Sequence, residues 1–134
     1  MGKKHLVFVY GTLRHDHRNH QLMGAAHCYG VGSTRDSFAM YIVSGYPYVT
    51  GSEERYPIVG ELYAVDSEML NKLDKMEGHP HFYVRREVAV DVGGEEYRAW
   101  MYVRDPPGTL LATGDYNDVA GHMQPSRGPI KNDP

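Results

Sequence analysis

The chain has 134 residues, of which 41% are hydrophobic and 23% are charged, and its formal net charge at pH 7 is −3. This length and composition fit one globular domain with a single hydrophobic core, which we expect to cover residues 1–134. The acidic balance and the lack of a long apolar run exclude a basic nucleic-acid-binding surface and a membrane-spanning helix, so we expect neither nucleic acid nor a membrane as a partner.

The first predicted elements are a strand and a short helix. The run His5–Tyr10 is apolar, too short for a helix and rich in β-branched and aromatic residues, which predicts a buried strand. Residues 11–14 then form a loop at the carboxyl end of that strand. Asn19 can cap a short helix over residues 20–23.

Further strands are predicted through the middle of the chain. Glycines separate short segments between His27 and Val49, and these segments predict strands joined by turns. Residues 57–65 predict another strand. In that strand Gly60 marks either a bulge or a close approach of another piece of backbone.

The clearest predicted helix covers residues 67–77, with Asp66 or Ser67 as its cap and Gly78 just past its end. Its apolar residues span an arc of about 120° around the helix axis. Glu77 falls inside that arc, although an unpaired charge is costly to bury. The carboxylate therefore requires an explanation.

Two interpretations of Glu77 are open. As the last residue of the helix, it could swing out to water or pair with Arg85 or Arg86. Alternatively, it is a partly desolvated general acid/base whose pKa burial raises toward neutrality. The position on the helix is compatible with both.

A β-hairpin and a proline-rich tail complete the chain. Residues 82–92 alternate apolar and polar side chains, Gly93-Gly94 accepts the turn, and residues 95–103 form the returning strand. Five of the eight prolines lie in residues 105–134, so we expect this segment to wrap the domain as loops and turns without adding a core element.

Two motifs carry a resemblance to a known family. The first follows the first strand, and its residues are Val9-Tyr10-Gly11-Thr12-Leu13-Arg14. The second comprises Met69-Leu70 and Leu73–Gly78, followed by Tyr83 and Arg85. With these motifs about 65 residues apart, the chain resembles the γ-glutamyl cyclotransferase superfamily, and within it most nearly the γ-glutamylamine cyclotransferase branch and related AIG2-like proteins. A weaker third match is Asp115-Tyr116.

The resemblance implies an α+β fold, a compact mixed β-barrel with flanking helices and a pocket at one end. It also implies that Glu77 is the catalytic residue. The substrate-binding residues that it implies are Tyr10, Gly11, Thr12, Leu13, Tyr83 and Tyr116. The surroundings of Glu77 depart from the γ-glutamylamine branch, because Met76 precedes it and Gly78 follows it.

The implied activity is cleavage of a small-molecule γ-glutamyl amide by intramolecular attack of its α-amino group, which releases 5-oxoproline and a free amine such as lysine. Glu77 would act as base and then as acid, so the reaction requires no metal or other cofactor. Two alternatives stay open: the same reaction on γ-glutamyl amino acids, and a non-catalytic protein that binds a γ-glutamyl ligand. The sequence predicts no oligomeric state.

Two other candidate sites are less favoured. His15, His17 and His20 lie with Asp16 in a polar segment, which fits a solvated loop better than a metal site. No histidine partner is evident for Cys28, the single cysteine, so we expect a small buried thiol. One cysteine and no signal-peptide pattern predict a cytoplasmic protein.

Overall fold

The computed structural model describes residues 4–15, 20–24, 26–43, 46–104 and 109–117. This part of the chain contains a 3₁₀-helix (His20–Met23) and one α-helix, α1 (Ser67–Glu77). Its strands are β1 (Lys4–Val9), β2 (His27–Thr34), β3 (Ala39–Val43), β4 (Tyr46–Thr50), β5 (Val59–Asp66), β6 (Val84–Val92), β7 (Glu95–Val103) and β8 (Thr109–Leu110).

Five of the strands close into a barrel. They follow the order β1-β5-β2-β6-β7, in which every neighbouring pair is antiparallel. The ring closes where β7 runs parallel to β1, with Val7 opposite Trp100. Outside the ring, β4 pairs in parallel with β7 and continues the sheet through β3 to β8. The predicted mixed β-barrel is confirmed.

The second half of β1 is buried on both faces, because core clusters lie on either side of it. Phe8 belongs to a cluster that includes Leu62 and Met101, whereas its neighbours Val7 and Val9 belong to the other. This division follows from the alternation of side chains along a strand. Leu70 and Leu73 of α1 pack in the second cluster, so the helix covers one side of the barrel.

Helix α1 begins and ends where the local sequence predicts. The Asp66 carboxylate accepts a hydrogen bond of 2.8 Å from the amide of Met69, which satisfies one of the donors left unpaired at a helix start. At the other end Gly78 adopts a φ of 71°, a left-handed conformation that favours glycine. No helix in the described ranges is long and apolar enough to cross a membrane.

The hairpin of β6 and β7 also follows the prediction. Gly93 and Gly94 have φ angles of 59° and 85°, and Val92 lies opposite Glu95. Positive φ at both positions is what a tight hairpin turn of this hand requires. The predicted alternation buries Val88, Val90 and Val92, but Phe82 and Val84 are exposed, because they precede the part of β6 that faces the core.

Gly60 marks a close approach of two strands, which is one of the two predicted alternatives. A Cβ atom at this position would lie 2.4 Å from the carbonyl oxygen of Val9 and 2.9 Å from the ring of Phe8. Any larger residue would therefore push β5 away from the end of β1, directly before the Tyr10–Leu13 loop.

Two predictions about burial are wrong. Leu111 and Tyr116 are buried in the first core cluster, and β8 pairs with β3, so residues 109–117 of the proline-rich tail do add to the core. Prolines disfavour regular structure without preventing the side chains between them from packing. Cys28 is exposed because the first residues of β2 are exposed on both faces. Asn19, residues 105–108 and residues 118–134 lie outside the described residues.

Candidate active site

A cavity of about 440 Å³ lies at one end of the barrel, a volume typical of small-molecule sites. The parallel strands β1 and β7 both end there, and α1 ends beside them. The cavity is lined by Phe8, Val9, Tyr10, Gly11, Thr12, Leu13, Tyr46, Pro47, Met76, Glu77, Phe82, Tyr83, Tyr102 and Arg104. The two motifs, about 65 residues apart in the chain, thus meet at one cavity.

The loop after β1 is a tight turn packed against the start of β4. The amide of Arg14 donates a hydrogen bond of 3.0 Å to the carbonyl oxygen of Gly11, which closes the turn. A Cβ atom on Gly11 would lie 2.7 Å from Cγ of Pro47, so only glycine fits without displacing that ring. Gly11, Thr12 and Leu13 all line the cavity.

Tyr10 lines the cavity with its ring but uses its hydroxyl within the protein. The hydroxyl donates a hydrogen bond of 2.7 Å to the carbonyl oxygen of Tyr102 and accepts one of 3.2 Å from the amide of Val49. Burial is the main reason that the pKa of Tyr10 lies well above its ordinary value. This hydroxyl therefore ties β1, β4 and β7 together at the cavity.

Glu77 is the last residue of α1, and its side chain is half-buried in the cavity wall. Burial raises the pKa of this carboxyl from 4.5 to about 7. Within the described residues no cation pairs with it. The alternative pairing with Arg85 or Arg86 does not occur, because Arg85 binds Asp74 and Arg86 lies over the ring of Phe38.

The last turn of α1 is fixed by Asp74, whose position lies outside the apolar arc of the helix. Its carboxylate accepts hydrogen bonds of 2.8 and 3.2 Å from the Arg85 guanidinium and one of 2.6 Å from the Tyr102 hydroxyl. The guanidinium also lies 4.4 Å from the centre of the Trp100 ring. A carboxylate three residues before Glu77, with Arg85 in the same motif, was the sequence signal for this contact.

Tyr83 and Arg104 form another part of the wall. The Tyr83 hydroxyl lies 3.4 Å from the carbonyl oxygen of Pro47. Burial, together with the negative charge of Glu77, raises the pKa of Tyr83 to about 12, so this hydroxyl keeps its proton at neutral pH. The Arg104 guanidinium lies 3.7 Å from the centre of the Phe82 ring. Sequence reasoning missed Arg104, whose only signal is a cation directly after an apolar strand end.

The third motif does not reach the cavity. Tyr116 is fully buried in the first core cluster and is not among the residues that line the cavity. The Asp115 carboxylate accepts a hydrogen bond of 2.9 Å from the Arg14 guanidinium, which also lies 3.6 Å from the Glu61 carboxylate. Asp115 thus helps to hold the loop after β1 through Arg14, from outside the cavity.

The two described histidines of the polar segment, His15 and His20, have a structural explanation. The His20 ring nitrogen Nδ1 lies 3.0 Å from the carbonyl oxygen of Leu13, and its ring meets that of His15 edge to face. Asp16 and His17 lie outside the described residues. Among the residues that are described, no group of three or more histidine, cysteine or acidic side chains is arranged to hold a metal ion.

Comparison with known proteins gives a consistent result. The model of the family described as “Gamma-glutamyl cyclotransferase, AIG2-like” matches residues 7–118. “Putative gamma-glutamylcyclotransferase MJ1514” from Methanocaldococcus jannaschii is 41% identical over 118 residues, covering 86% of this chain and 98% of the relative. “Gamma-glutamylaminecyclotransferase” from Rattus norvegicus is 36% identical over 94 residues, covering 64% of this chain and 63% of the relative.

Solved structures include a similar fold. The crystal structure of an AIG2-like protein from Mus musculus superposes with a TM-score of 0.76 at 28% sequence identity. The superposition covers 98% of this chain and 96% of the mouse chain. The barrel and the elements around it are therefore similar over almost the full length of both chains.

Proposed function

Because the chain belongs to the γ-glutamyl cyclotransferase, AIG2-like family, we propose that it cleaves γ-glutamyl amides by converting the γ-glutamyl group to 5-oxoproline, with Glu77 as the proton carrier. The observation that carries this proposal is the half-buried Glu77 carboxyl in the cavity wall, whose pKa burial raises to about 7. A group with that pKa can both accept and return a proton at neutral pH.

The reaction requires few catalytic groups, because the substrate contains its own nucleophile. The α-amino nitrogen attacks the γ-carbonyl carbon and forms the five-membered ring, and the bond from that carbon to the leaving amine nitrogen then breaks. Glu77 takes the proton released by the attacking nitrogen and gives it to the leaving nitrogen, so no proton is gained or lost. Holding both ends of the substrate together supplies a high effective concentration.

Other groups of the cavity have supporting roles in this proposal. Backbone N–H groups of Gly11–Leu13 leave the end of a strand, where they can hold a carboxylate or stabilise the oxyanion that forms during attack. The Tyr83 hydroxyl, protonated at neutral pH, can donate a hydrogen bond to the substrate. The ring of Tyr10 shapes the wall, and Tyr116 is left out because it does not line the cavity.

We take γ-glutamyl amines, such as γ-glutamyl-ε-lysine, as the first candidate substrates. The rat relative named gamma-glutamylaminecyclotransferase, at 36% identity, supports this choice. γ-Glutamyl amino acids are the second candidates, since the archaeal relative carries the broader name. A cytoplasmic location stays a prediction.

The direct test is release of 5-oxoproline from γ-glutamyl-ε-lysine, γ-glutamyl-alanine, glutathione and simple γ-glutamyl amines. The wild type should turn over at least one of them, and Glu77→Gln should abolish that turnover while keeping the fold. Glu68→Gln, in the exposed first turn of the same helix, is the matched control and should leave the rate unchanged. A wild-type rate in Glu77→Gln would mean that the proposed mechanism is wrong.

The other class of function is a protein that binds a γ-glutamyl ligand without turnover. Calorimetric binding of the same panel separates the two. Binding by the wild type without any 5-oxoproline, over hours and at high enzyme concentration, would favour the binding protein.

A further inference from the structure

We propose that the Arg104 guanidinium binds a carboxylate of the substrate and so contributes to substrate selection. This inference rests on the proposed function for the identity of the substrate. It concerns a residue that neither sequence motif contains, and its argument begins with the position of the side chain in the cavity.

The backbone of Arg104 is held in place directly after β7. Its amide donates a hydrogen bond of 3.0 Å to the carbonyl oxygen of Val49 in β4. The residue is half-buried and lines the same cavity as Glu77. The starting point of the side chain is therefore as rigid as the sheet itself.

Aromatic rings fix the guanidinium. It lies 3.7 Å from the centre of the Phe82 ring and 5.3 Å from the centres of the Tyr48 and Tyr83 rings. Stacking on aromatic faces holds a guanidinium by its plane. The N–H edge also interacts with the Tyr83 hydroxyl in the cavity wall, and a guanidinium carries further N–H groups that can bind a carboxylate. Such a group loses little conformational freedom when it binds a ligand.

Arg104 differs from most other arginines in the described ranges by having no acidic partner there. Five others form ion pairs with carboxylates: Arg14, Arg35, Arg55, Arg85 and Arg98. Arg86 has none either, but it does not line the cavity. A half-buried cation in a ligand cavity, without a carboxylate from the described protein, fits a carboxylate from the ligand.

The charges of the cavity and of the substrate are complementary. Every γ-glutamyl amide carries a carboxylate on its α carbon, and a γ-glutamyl amino acid carries a second one on the leaving group. Arg104 affects the same hydroxyls as Glu77, since its charge lowers the pKa of Tyr10 and Tyr83 whereas the charge of Glu77 raises both. Because both side chains line the same cavity, one small substrate can contact both.

Kinetics with three substrates test the proposal and identify which carboxylate is bound. The variants are Arg104→Gln and Arg104→Lys, with Arg98→Gln on the exposed side of β7 as control. The substrates are γ-glutamyl-alanine with two carboxylates, γ-glutamyl-ethylamide with only the α-carboxylate, and the ethylamide of γ-aminobutyric acid with none. Circular dichroism confirms folding, and Arg104→Lys keeps a cation should Arg104→Gln fail to fold.

The α-carboxylate and the leaving-group carboxylate predict different patterns of KM changes. If Arg104 binds the α-carboxylate, Arg104→Gln should raise KM about tenfold or more for both γ-glutamyl substrates and leave the carboxylate-free substrate unchanged. If it binds the leaving-group carboxylate, only γ-glutamyl-alanine should be affected. Equal effects on all three substrates, or none on any, would overturn the proposal.

A binding measurement tests the role of Arg104 whether or not the protein catalyses the proposed reaction. By calorimetry, the wild type should bind 5-oxoproline more tightly than 2-pyrrolidinone, the same ring without the carboxylate, or bind γ-glutamyl-alanine more tightly than its ethylamide counterpart. Arg104→Gln should lose that preference and Arg98→Gln should keep it. If the protein shows this binding pattern without any turnover, the proposed cyclotransferase activity is refuted and carboxylate binding by Arg104 is supported. If the wild type binds ligands equally well with and without the carboxylate, carboxylate binding by Arg104 is refuted.

Discussion

The Tyr102 hydroxyl donates a hydrogen bond of 2.6 Å to the Asp74 carboxylate, one turn before Glu77 in α1. The same carboxylate accepts two hydrogen bonds from Arg85 of β6. Burial opposes ionisation of Asp74, but the hydrogen bonds from Arg85 and Tyr102 outweigh it, so the pKa of Asp74 lies below its ordinary value. The helix end that carries Glu77 is thus tied to two barrel strands through a charged group.

We expect Asp74→Asn to impair the position of Glu77. Loss of the charge weakens the hydrogen bonds from Arg85 and Tyr102, which should cost about 2 kcal/mol in the free energy of unfolding. The value of kcat should fall about tenfold with a smaller change in KM, because the proposed substrate-binding loop after β1 is left intact. Glu68→Gln in the first turn of α1 is the control. Equal behaviour of the two variants in kcat would show that Asp74 does not position Glu77.

The pH dependence of the reaction should report Glu77. Its carboxyl must be ionised to accept a proton, and its pKa is about 7 in the free protein. For the wild type, kcat/KM should therefore rise with pH through about 7, well above the ordinary range of a glutamate. A stopped-flow or discontinuous 5-oxoproline assay between pH 5 and 9 measures this. A profile that is flat from pH 5 upward would contradict the assignment.

The raised pKa of Glu77 should also make the free energy of unfolding depend on pH. A glutamate whose pKa is raised from 4.5 to about 7 on folding binds more protons in the folded than in the unfolded state between those values. Its contribution is therefore fully present below pH 4.5 and is lost as pH rises through about 7. Between pH 5 and 8, the wild type should lose roughly 2–3 kcal/mol more than Glu77→Gln. Urea unfolding at both pH values measures this, and parallel losses would refute it.

Arg14 should be among the most sensitive positions outside the cavity. Its side chain is 3% exposed and lies between the carboxylates of Glu61 and Asp115. Arg14→Leu leaves buried negative charge unpaired, which should cost about 3–5 kcal/mol in urea unfolding. Arg98→Gln, which breaks an exposed ion pair, should have little effect.

A double variant provides the internal check on Arg14. Adding Asp115→Asn to Arg14→Leu removes one of the unpaired charges, so the second substitution should destabilise the protein less in that background than it does alone. Strict additivity of the two changes would indicate that the ion pair is not the source of the cost.

Elements whose signals are local were predictable from the sequence. Helix α1 and the hairpin of β6 and β7 are specified by residues within a few positions of their ends, namely the Asp66 cap, Gly78 and the pair Gly93-Gly94. The barrel was predicted only through the family resemblance of the two motifs, because the strand signals by themselves predicted mixed α and β structure with hairpin-connected strands.

Choices between distant partners were not predictable. Arg85 could have paired with Glu77, but β6 brings it against Asp74, and β7 adds Tyr102 to the same carboxylate. Cys28 in β2 and Leu111 just after β8 have ordinary small and apolar side chains. Their exposure depends on which other elements pack over them, and pairing across the sheet decides this.

Glu77 shows most clearly which features the sequence determined and which the tertiary structure decided. Its place inside the apolar arc of α1 follows from a period of about 100° per residue, so the sequence by itself determined that a carboxylate sits on the core side of the helix. Whether that carboxylate meets a cation or loses water was decided by the tertiary structure. The loop after β1, the start of β4 and the end of β7 enclose it, while Asp74 holds the nearest arginine of its own motif, and desolvation without a paired charge raises its pKa.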